Sequence, residues 1–267
     1  MMDWHAYLLG LVVTLAMGLI GWLATLSRHN VNLVDSLWSM FFLAAGVTYA
    51  LASGQMSART VLVLTLVALW AMRLGIHLAA RNWGKPEDHR YRAIRANNAP
   101  CFAWKSLFIV FGLQSVLAWL ISLPLAAAIV SSSPFGFLDV LGAGVVLVGL
   151  VFEAFADHQL ARFKADPGSR GKVLDHGLWR YSRHPNYFGE ACVWWGFWLI
   201  ALAAGAWWSL PAPLLMTFLL LRVSGVALLE KDIAERRPAY RDYIARTSAF
   251  VPMPPRDAVH LHYKETR

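Results

Sequence analysis

Charged side chains are scarce in this sequence, and so are cysteines. Asp, Glu, Lys and Arg make up 15% of the 267 residues, whereas 58% are hydrophobic. The mean hydropathy is +0.47. A soluble globule of this length needs more polar surface, so the composition excludes that class and predicts an integral membrane protein. The two cysteines, Cys101 and Cys192, are too few for a disulfide framework.

The motifs that identify many soluble enzymes are also absent. There is no G-x-G-x-x-G after a strand, no Walker loop, no H-E-x-x-H and no C-x-x-C. A glycine cluster at residues 142–149 lies inside an apolar segment, where close helix packing explains it. Three histidines lack the regular spacing of metal ligands, and we therefore predict no metal site. They are His158, His176 and His184.

What the sequence does contain is apolar segments of spanning length. Seven runs near 20 residues predict an all-α integral membrane fold, a seven-transmembrane helix bundle. The runs cover residues 6–26, 33–52, 60–80, 106–130, 137–157, 187–204 and 207–229. No Lys or Arg precedes the first run and no small-residue cleavage site follows it, so we expect a retained helix and not a signal peptide.

The basic residues predict the orientation of this bundle. With the N-terminus outside and the C-terminus in the cytoplasm, 21 of the 24 Lys and Arg lie on the inner side. The exceptions are Arg59, Arg73 and Arg222. The net charge of +8 is then a consequence of topology. The predicted partner is the lipid bilayer of a bacterial inner membrane or an endoplasmic-reticulum-like membrane, and no nucleic acid is needed.

Eight ionisable side chains lie within these helices or at their inner ends. They are Asp35, Arg73, His77, Glu153, Asp157, Glu190, Arg222 and Glu230. Each costs several kcal/mol if it faces lipid, so we expect all of them to face the interior of the bundle. They mark either a functional cavity or a set of structural ion pairs.

Helical spacing groups several of these residues. Arg73, His77 and Arg81 recur every fourth residue, with Trp70 one turn earlier on nearly the same face. Glu153 and Asp157 form a second pair, followed by Arg162 and Lys164, and Asn186 and Glu190 form a third. Basic groups that clamp phosphates, beside carboxylates that accept from ribose or amide groups, suit a phosphate-bearing cofactor at the cytoplasmic end.

The most informative segment covers residues 176–190 and reads HGLWRYSRHPNYFGE. It turns at Gly177, and a helix starts at Pro185. Backbone N–H groups at that start, beside Arg183 and His184, are suited to an anionic group. The alternative is an interfacial helix cap with no ligand.

This segment resembles the C-terminal signature of membrane steroid 5-alpha reductases and sterol reductases, G-L-W-x-x-S-R-H-P-N-Y-x-G-E. Isoprenylcysteine carboxyl methyltransferases share its Arg-His-Pro core. The resemblance continues through Arg222, the Glu230-Lys231-Asp232 triplet, the Tyr240-x-x-Tyr243 pair and the closing Phe250-Val251-Pro252. It covers residues 150–255, whereas the N-terminal half matches only as a hydropathy pattern.

Two cofactors compete within that superfamily, NADPH in the reductases and S-adenosylmethionine in the methyltransferases. The Asn-Tyr-x-Gly-Glu version found here resembles the reductase branch, and by that resemblance Asn186 and Glu190 hold the nicotinamide end. Six residues are then expected to meet the adenosine and phosphates: Asp157, Arg162, Lys164, Arg180, Arg183 and His184. The rest of the expected cofactor set is Arg73, Arg81, Glu153, Tyr187, Arg222 and Glu230.

The chain departs from the steroid reductases in its N-terminal half. They carry a Gln-Glu pair on the second helix and a Tyr on the third, which polarise the substrate ketone. Here the second helix has Asp35 without that pair, and Trp70 or His77 falls near the position of the Tyr. Asp35 is the predicted acid, because burial would keep it protonated. A structural pairing of Asp35 with Arg73 is the alternative.

The resulting prediction is an NADPH-dependent membrane reductase acting on the C=C bond of a lipophilic enone, steroid- or sterol-like. One alternative is a methyltransferase that uses S-adenosylmethionine, and another is a membrane protein that binds lipid without catalysis. We treat residues 1–267 as one membrane domain. Within it, residues 1–130 form the four-helix substrate side, residues 131–255 the cofactor side and residues 256–267 a tail.

Overall fold

The computed structural model describes residues 2–27, 29–223, 225–226, 230 and 239–256. Three parts of the predictions lie outside the described residues. They are Leu229 at the end of the seventh predicted span, the pair Lys231 and Asp232 of the reductase-like signature, and residues 257–267 of the predicted tail.

The described residues form helices joined by short turns, which confirms the all-α membrane fold. The α-helices, in chain order, are α1 Trp4–Leu26, α2 Leu33–Ser53, α3 Ala58–Asn82, α4 His89–Asn97, α5 Phe102–Ser106, α6 Leu113–Ile121, α7 Leu123–Ile129, α8 Phe137–Ala165, α9 Pro185–Ala203, α10 Pro211–Phe218 and α11 Ala239–Arg246. Short 3-10 helices lie at Pro167–Ser169, Gly177–Arg180 and Trp207–Ser209, and π-helical turns at Leu107–Gly112 and Leu219–Val223.

Among the described residues, five helical stretches are long and apolar enough to cross a membrane. They are α1, α2, α3, the continuous stretch Phe102–Ile121 and α8. The expectation of seven such helices is therefore too high for the described residues. The sixth predicted span is α9, whose 19 residues include Asn186 and Glu190 near its start. The seventh is a shorter apolar stretch, Trp207–Val223, which is divided into three short helical pieces.

The chain divides into two compact units, which differ from the predicted division after residue 130. One unit comprises Met1–Ala143 and Phe197–Ala212, and the other comprises Gly144–Gly196 and Pro213–Arg267. The boundaries between the units therefore fall within α8, α9 and α10.

Polar links between helices hold the first unit together. Tyr7 on α1 and Trp119 on α6 stack, with ring centroids 4.5 Å apart. The Trp119 indole N–H donates to the Tyr7 carbonyl at 2.9 Å, and the Tyr7 hydroxyl donates to the Trp119 carbonyl at 3.2 Å. On the α2–α3 contact, the Ser39 hydroxyl donates to the Ala71 carbonyl at 2.9 Å. Such hydrogen bonds strengthen helix association where apolar surface alone gives little driving force.

A buried ion pair also lies in the first unit. Arg59 at the start of α3 donates from Nε and Nη2 to both carboxylate oxygens of Asp139 on α8, at 2.6 and 2.9 Å. Further donation to the carbonyls of Ser133 and Pro134 fills the remaining guanidinium positions. The two side chains are 2% and 0% exposed. The pair fastens α3 to the turn that precedes α8.

In the second unit, backbone pairing joins the 181–183 segment to the chain after α11. The Arg183 amide donates to the Ser248 carbonyl and the Met253 amide donates to the Tyr181 carbonyl, both at 2.9 Å. The Ser182 hydroxyl donates to the Phe250 carbonyl at 2.8 Å. The two parts of the chain that carry the reductase-like signature are thus in direct contact.

Candidate functional site

Helices α8 and α9 approach each other backbone to backbone in the second unit. A Cβ atom added to Gly149 would lie 2.6 Å from the Gly189 carbonyl oxygen, and one added to Gly189 would lie 2.6 Å from the Glu153 amide nitrogen. Close packing at Gly149, predicted from the glycine cluster, is therefore confirmed. A Cβ atom added to Gly144 in the same cluster would have no heavy atom within 4 Å, so the cluster as a whole is not a packing motif.

This contact brings together two of the polar pairs that the sequence singles out. Asn186 donates from Nδ2 to Asp157 Oδ1 at 3.2 Å. On α8, Asp157 lies one turn after Glu153, and on α9, Asn186 lies about one turn before Gly189. The three carboxylates of these pairs are buried: Glu153 is 2%, Asp157 7% and Glu190 8% exposed. Among the described residues, no three acidic, His or Cys side chains converge as a metal site. The carboxylates are instead spread along the helix pair.

Asn186 leaves one polar atom of this region unused. Its Oδ1 is buried and has no hydrogen-bond partner among the residues that the structure describes, whereas its Nδ2 is engaged by Asp157. A buried carbonyl oxygen without a donor costs about 1–3 kcal/mol. Such an atom at a helix start is therefore ready to accept a hydrogen bond from a ligand.

Arg183 has partners within the protein. Its Nε and Nη2 donate to Glu230 Oε1 and Oε2 at 2.7 and 2.8 Å. Its Nη1 donates to the carbonyls of Thr247 and Ile244, at 2.5 and 3.1 Å. These bonds occupy the guanidinium fork and the side chain is buried. The placement argues against the phosphate-binding role that the resemblance implies for Arg183, and favours a structural one.

His184 and Glu230 complete this ion-pair group. His184 Nε2 lies 2.9 Å from Glu230 Oε1, and the His184 ring stacks on Tyr187 at 5.5 Å between centroids. Burial alone would raise the pKa of Glu230. The hydrogen bonds from His184 and Arg183 outweigh that effect and lower the pKa to about 2. Glu230 is therefore a firmly ionised anchor for the Arg-His pair.

The other predicted basic residues of the second unit lie at the surface. Arg162, Lys164, Arg180 and Arg222 are all exposed. Arg162 lines a cavity together with His158 and other residues at the end of α8. It is nine residues from Glu153, which is two and a half helical turns at 100° per residue, and so it points to the opposite side of α8. The structure therefore separates Arg162 from the Glu153 and Asp157 side.

In the first unit, Asp35 is not the isolated carboxylate that the sequence suggests. Its Oδ1 accepts from the Tyr91 hydroxyl at 2.6 Å and its Oδ2 accepts from Arg90 at 3.2 Å. Arg81 lies 3.6 Å away. Asp35 thus forms ion pairs with Arg81 and Arg90, and the alternative pairing with Arg73 stays a prediction. Because two guanidinium groups face the carboxylate, its environment is that of an ion pair and not an apolar pocket.

The remaining predicted residues of the first unit lie along α3. Trp70 is 0% exposed and meets Phe42 edge to face at 5.6 Å between centroids, as expected of a core residue. His77 and Arg73 are half-buried, and Arg81 is exposed. Arg81, at the end of this row of residues, forms the ion pair with Asp35 described above.

Sequence reasoning missed three participants in the group around Asp35, namely Arg90, Tyr91 and Gln114. Tyr91 is buried on α4, and Gln114 on α6 donates to its hydroxyl at 3.4 Å. Burial and the charge of Asp35 raise the pKa of Tyr91, so its hydroxyl keeps the proton that it donates. The sequence did contain a signal for α4. Asp88, which accepts from the Arg90 amide as the N-cap of α4, marks a helix start between the third and fourth predicted spans.

Comparisons with known proteins agree with the membrane fold. The sequence model of a family described as "Protein of unknown function (DUF1295)" matches residues 21–247. An uncharacterized protein of Schizosaccharomyces pombe (strain 972) is 26% identical in an alignment of 284 residues. The alignment covers 93% of this chain and 80% of the yeast protein. No solved structure matches the chain significantly.

Proposed function

We propose a reductase function for this chain, which belongs to the DUF1295 family. In this proposal a multi-pass membrane protein binds NADPH in its second unit and reduces the C=C bond of a lipophilic enone. The reductase-like signature of residues 176–190 supports the choice of cofactor, since it contains the Asn-Tyr-x-Gly-Glu version.

The observation that carries the proposal is the unused Oδ1 of Asn186. Its Nδ2 is fixed by Asp157, so the amide is oriented and its oxygen is left as a buried acceptor. A nicotinamide carries a carboxamide N–H₂ group, which is a donor of the kind this oxygen lacks. The residues present therefore fit the group, with Asn186 as the acceptor and the Asp157 bond as the element that positions it.

The neighbouring carboxylates suit the hydroxyl-rich part of a nucleotide. Ionised Glu and Asp side chains are acceptors only, and ribose hydroxyls donate. Glu190 lies one turn after Asn186 on α9, and Glu153 lies beside Gly189 across the helix contact. Lys164, Arg180 and Arg222 are the candidates for phosphates in this unit, because the guanidinium of Arg183 is occupied.

The reaction itself has a simple balance. Bound NADPH would supply a hydride to the carbon beta to the carbonyl and become NADP⁺, and a proton that ultimately comes from water would add to the alpha carbon and complete the saturated product. The role of this chain is to orient the nicotinamide through Asn186 and to exclude water from it. The close contact at Gly149 and Gly189 holds the two helices at the spacing that the Asn186–Asp157 hydrogen bond requires.

A second candidate function is methyl transfer from S-adenosylmethionine. The specific observation in its favour is that Glu153, Asp157 and Glu190 are all buried acceptors in one helix pair. Three carboxylates also suit a cofactor that carries an ammonium and a sulfonium group. The internal engagement of Arg183 also leaves one arginine fewer for the phosphates of NADPH.

Ligand-dependent thermal unfolding of the purified full-length protein in detergent tests these functions. A ligand bound only by the folded state raises the midpoint of unfolding. We expect NADPH to raise it and S-adenosylmethionine to leave it unchanged; the reverse result would establish the methyltransferase. A lack of response to both would contradict either enzyme and favour the non-enzymatic lipid-binding alternative.

Two variants link the response to the site. Glu190→Gln should weaken NADPH binding about ten- to a hundredfold, the usual cost of a lost hydrogen bond to a charged group, and Asn186→Ala about two- to tenfold, the cost of a neutral one. The matched control is Asp175→Asn, which removes one exposed carboxylate of the same unit. A loss of stability without ligand, together with unchanged affinity, would assign Asn186 and Glu190 to structure alone.

A further inference from the structure

A polar cavity lies at the last turns of α8, on the side of the helix opposite Glu153. It has a volume of about 700 Å³. Its lining residues are Phe155, His158, Gln159, Arg162, Phe163, Asp166, Ser169 and His176. Phe163 and His176 meet edge to face at 6.4 Å between ring centroids, which connects α8 to the loop before α9.

An apolar groove runs along the same side of α8 toward the middle of the helix. It has a volume of about 430 Å³. Its lining residues are Leu147, Val148, Val151, Phe152, Phe155, Gln159 and Leu178. Val148 is 63% and Phe155 60% exposed. On a helix that crosses the membrane, such side chains face acyl chains.

The cavity and the groove are continuous. Phe155 and Gln159 line both. Gln159 is fixed between them, because its Oε1 accepts from the Leu178 amide at 3.0 Å. Val151, Phe155, Gln159 and Arg162 follow one another at helical spacing, so an apolar surface passes directly into a polar one along a single helix face.

The charges at the polar end favour an anion. Arg162 is exposed in the cavity, and two imidazoles stand beside it. The acidic residue of the lining, Asp166, accepts from the Gly168 amide and the Ser169 hydroxyl, both at 2.9 Å. Those two bonds, together with the nearby charge of Lys172, lower the pKa of Asp166. Its negative charge is thus satisfied within the loop, and Arg162 remains for a ligand.

We propose that this cavity and groove bind one anionic phospholipid, with its phosphate headgroup at Arg162 and an acyl chain along Val148, Val151 and Phe155. An apolar groove that opens into a basic headgroup cavity matches an amphiphile, whereas a free nucleotide would leave the groove empty. The site lies on the opposite side of α8 from Glu153, and it does not depend on the proposed reductase function.

Native mass spectrometry of the full-length protein, titrated with dioleoyl phosphatidylglycerol and dioleoyl phosphatidylcholine, tests this site. The first phosphatidylglycerol should bind more tightly than the first phosphatidylcholine. Arg162→Gln should weaken the first phosphatidylglycerol about fivefold, the usual effect of one basic residue near a membrane surface. Arg170→Gln is the matched control, because it removes the same charge from an exposed position that does not line the cavity. Its effect should stay below about twofold, since screening weakens a charge that is not in contact with the lipid.

Two further measurements distinguish a bound phospholipid from a small anion in the same cavity. Val151→Trp should fill the groove and weaken phosphatidylglycerol binding, whereas a small-anion site would be insensitive to this change. Glycerol 1-phosphate at millimolar concentration should not displace the lipid. The proposal would be overturned if Arg162→Gln and Arg170→Gln had equal effects, or if glycerol 1-phosphate displaced the lipid. It would also be overturned if Arg162→Gln lost NADPH affinity while its lipid binding stayed unchanged.

Discussion

Gly149 and Gly189 put the backbones of α8 and α9 in direct contact, because a Cβ atom added to either glycine would lie 2.6 Å from a backbone atom of the other helix. Real Cβ atoms do not approach backbone so closely, so neither position tolerates a side chain without a shift of the helices. The Asn186–Asp157 hydrogen bond lies one turn away and depends on this spacing.

Gly189→Ala should therefore destabilise the protein by about 1–3 kcal/mol, as overpacking in a filled interior does. Gly144→Ala on α8 is the control, since its added Cβ atom would have no heavy atom within 4 Å. It should be neutral or stabilising by up to about 1 kcal/mol, the helix propensity difference between Gly and Ala. Thermal unfolding in detergent measures both. Equal effects of the two variants would contradict the close contact.

Hydropathy was sufficient to predict the first five spans, because each is a long apolar run, and an apolar helix of this length is typical of a membrane span. Helical spacing grouped Glu153 with Asp157 and Asn186 with Glu190, but only the packing of α8 on α9 shows that Asn186 meets Asp157. The sixth and seventh runs were less predictable. Glu190 interrupts the sixth run, and Pro211 and Pro213 lie in the seventh, so apolar composition overstated their continuity.

Partners distant in sequence could not be predicted in the same way. Arg59 stands apart from the predicted inner basic set, but nothing local indicates its partner Asp139, 80 residues later. Asp35 shows the same problem, since its contacts with Arg90 and Tyr91 bridge 55 and 56 residues. A carboxylate that looks isolated along the chain acquires its environment only from the tertiary packing.

The Arg59–Asp139 pair should behave as a buried pair does. Arg59→Met leaves the Asp139 carboxylate buried without its cation and should cost about 3–5 kcal/mol. The double variant Arg59→Met/Asp139→Leu removes both charges and should recover most of that loss. Unfolding free energies of the two variants and the wild type supply the comparison. A double variant as unstable as the single one would show that the pair is not the cause.

Two substitutions in the group around Asp35 should differ in how much they destabilise the protein. Asp35→Asn removes the charged partner of Arg90 and should cost about 1.5–3 kcal/mol, whereas Tyr91→Phe removes one hydroxyl and should cost about 1 kcal/mol. Unfolding midpoints of both variants in the same detergent test the order. If Tyr91→Phe were the more damaging change, the hydroxyl and not the ion pair would dominate the group.

The orientation of the chain can be tested by cysteine accessibility. Cys101 is exposed and lies on the predicted cytoplasmic side, while Gln55 and Ser132 are exposed in the predicted outer turns. All variants carry Cys192→Ala. In variants that also carry Cys101→Ser, an impermeant maleimide added to intact cells should label Gln55→Cys and Ser132→Cys. It should not label Cys101 itself until the membrane is permeabilised. Labelling of all three from one side would refute the assigned topology.

The Glu230 group predicts a pH dependence of stability. The pKa of Glu230 is lowered from 4.5 to about 2, because hydrogen bonds from His184 and Arg183 outweigh the effect of burial. A carboxylate with a lowered folded-state pKa stabilises the protein fully above its unfolded-state pKa. That stability is lost as the pH falls from about 4.5 toward about 2.

Glu230→Gln should therefore unfold at a clearly lower temperature than the wild type at neutral pH, because Arg183 and His184 lose their anionic partner. The difference should shrink as the pH falls through this window, since the wild-type carboxylate then takes up its proton. Asp175→Asn removes one member of an exposed ion pair and should differ little from the wild type at any pH. A difference between wild type and Glu230→Gln that stayed constant down to the lower end of the window would contradict an ionised Glu230 as the anchor of Arg183 and His184.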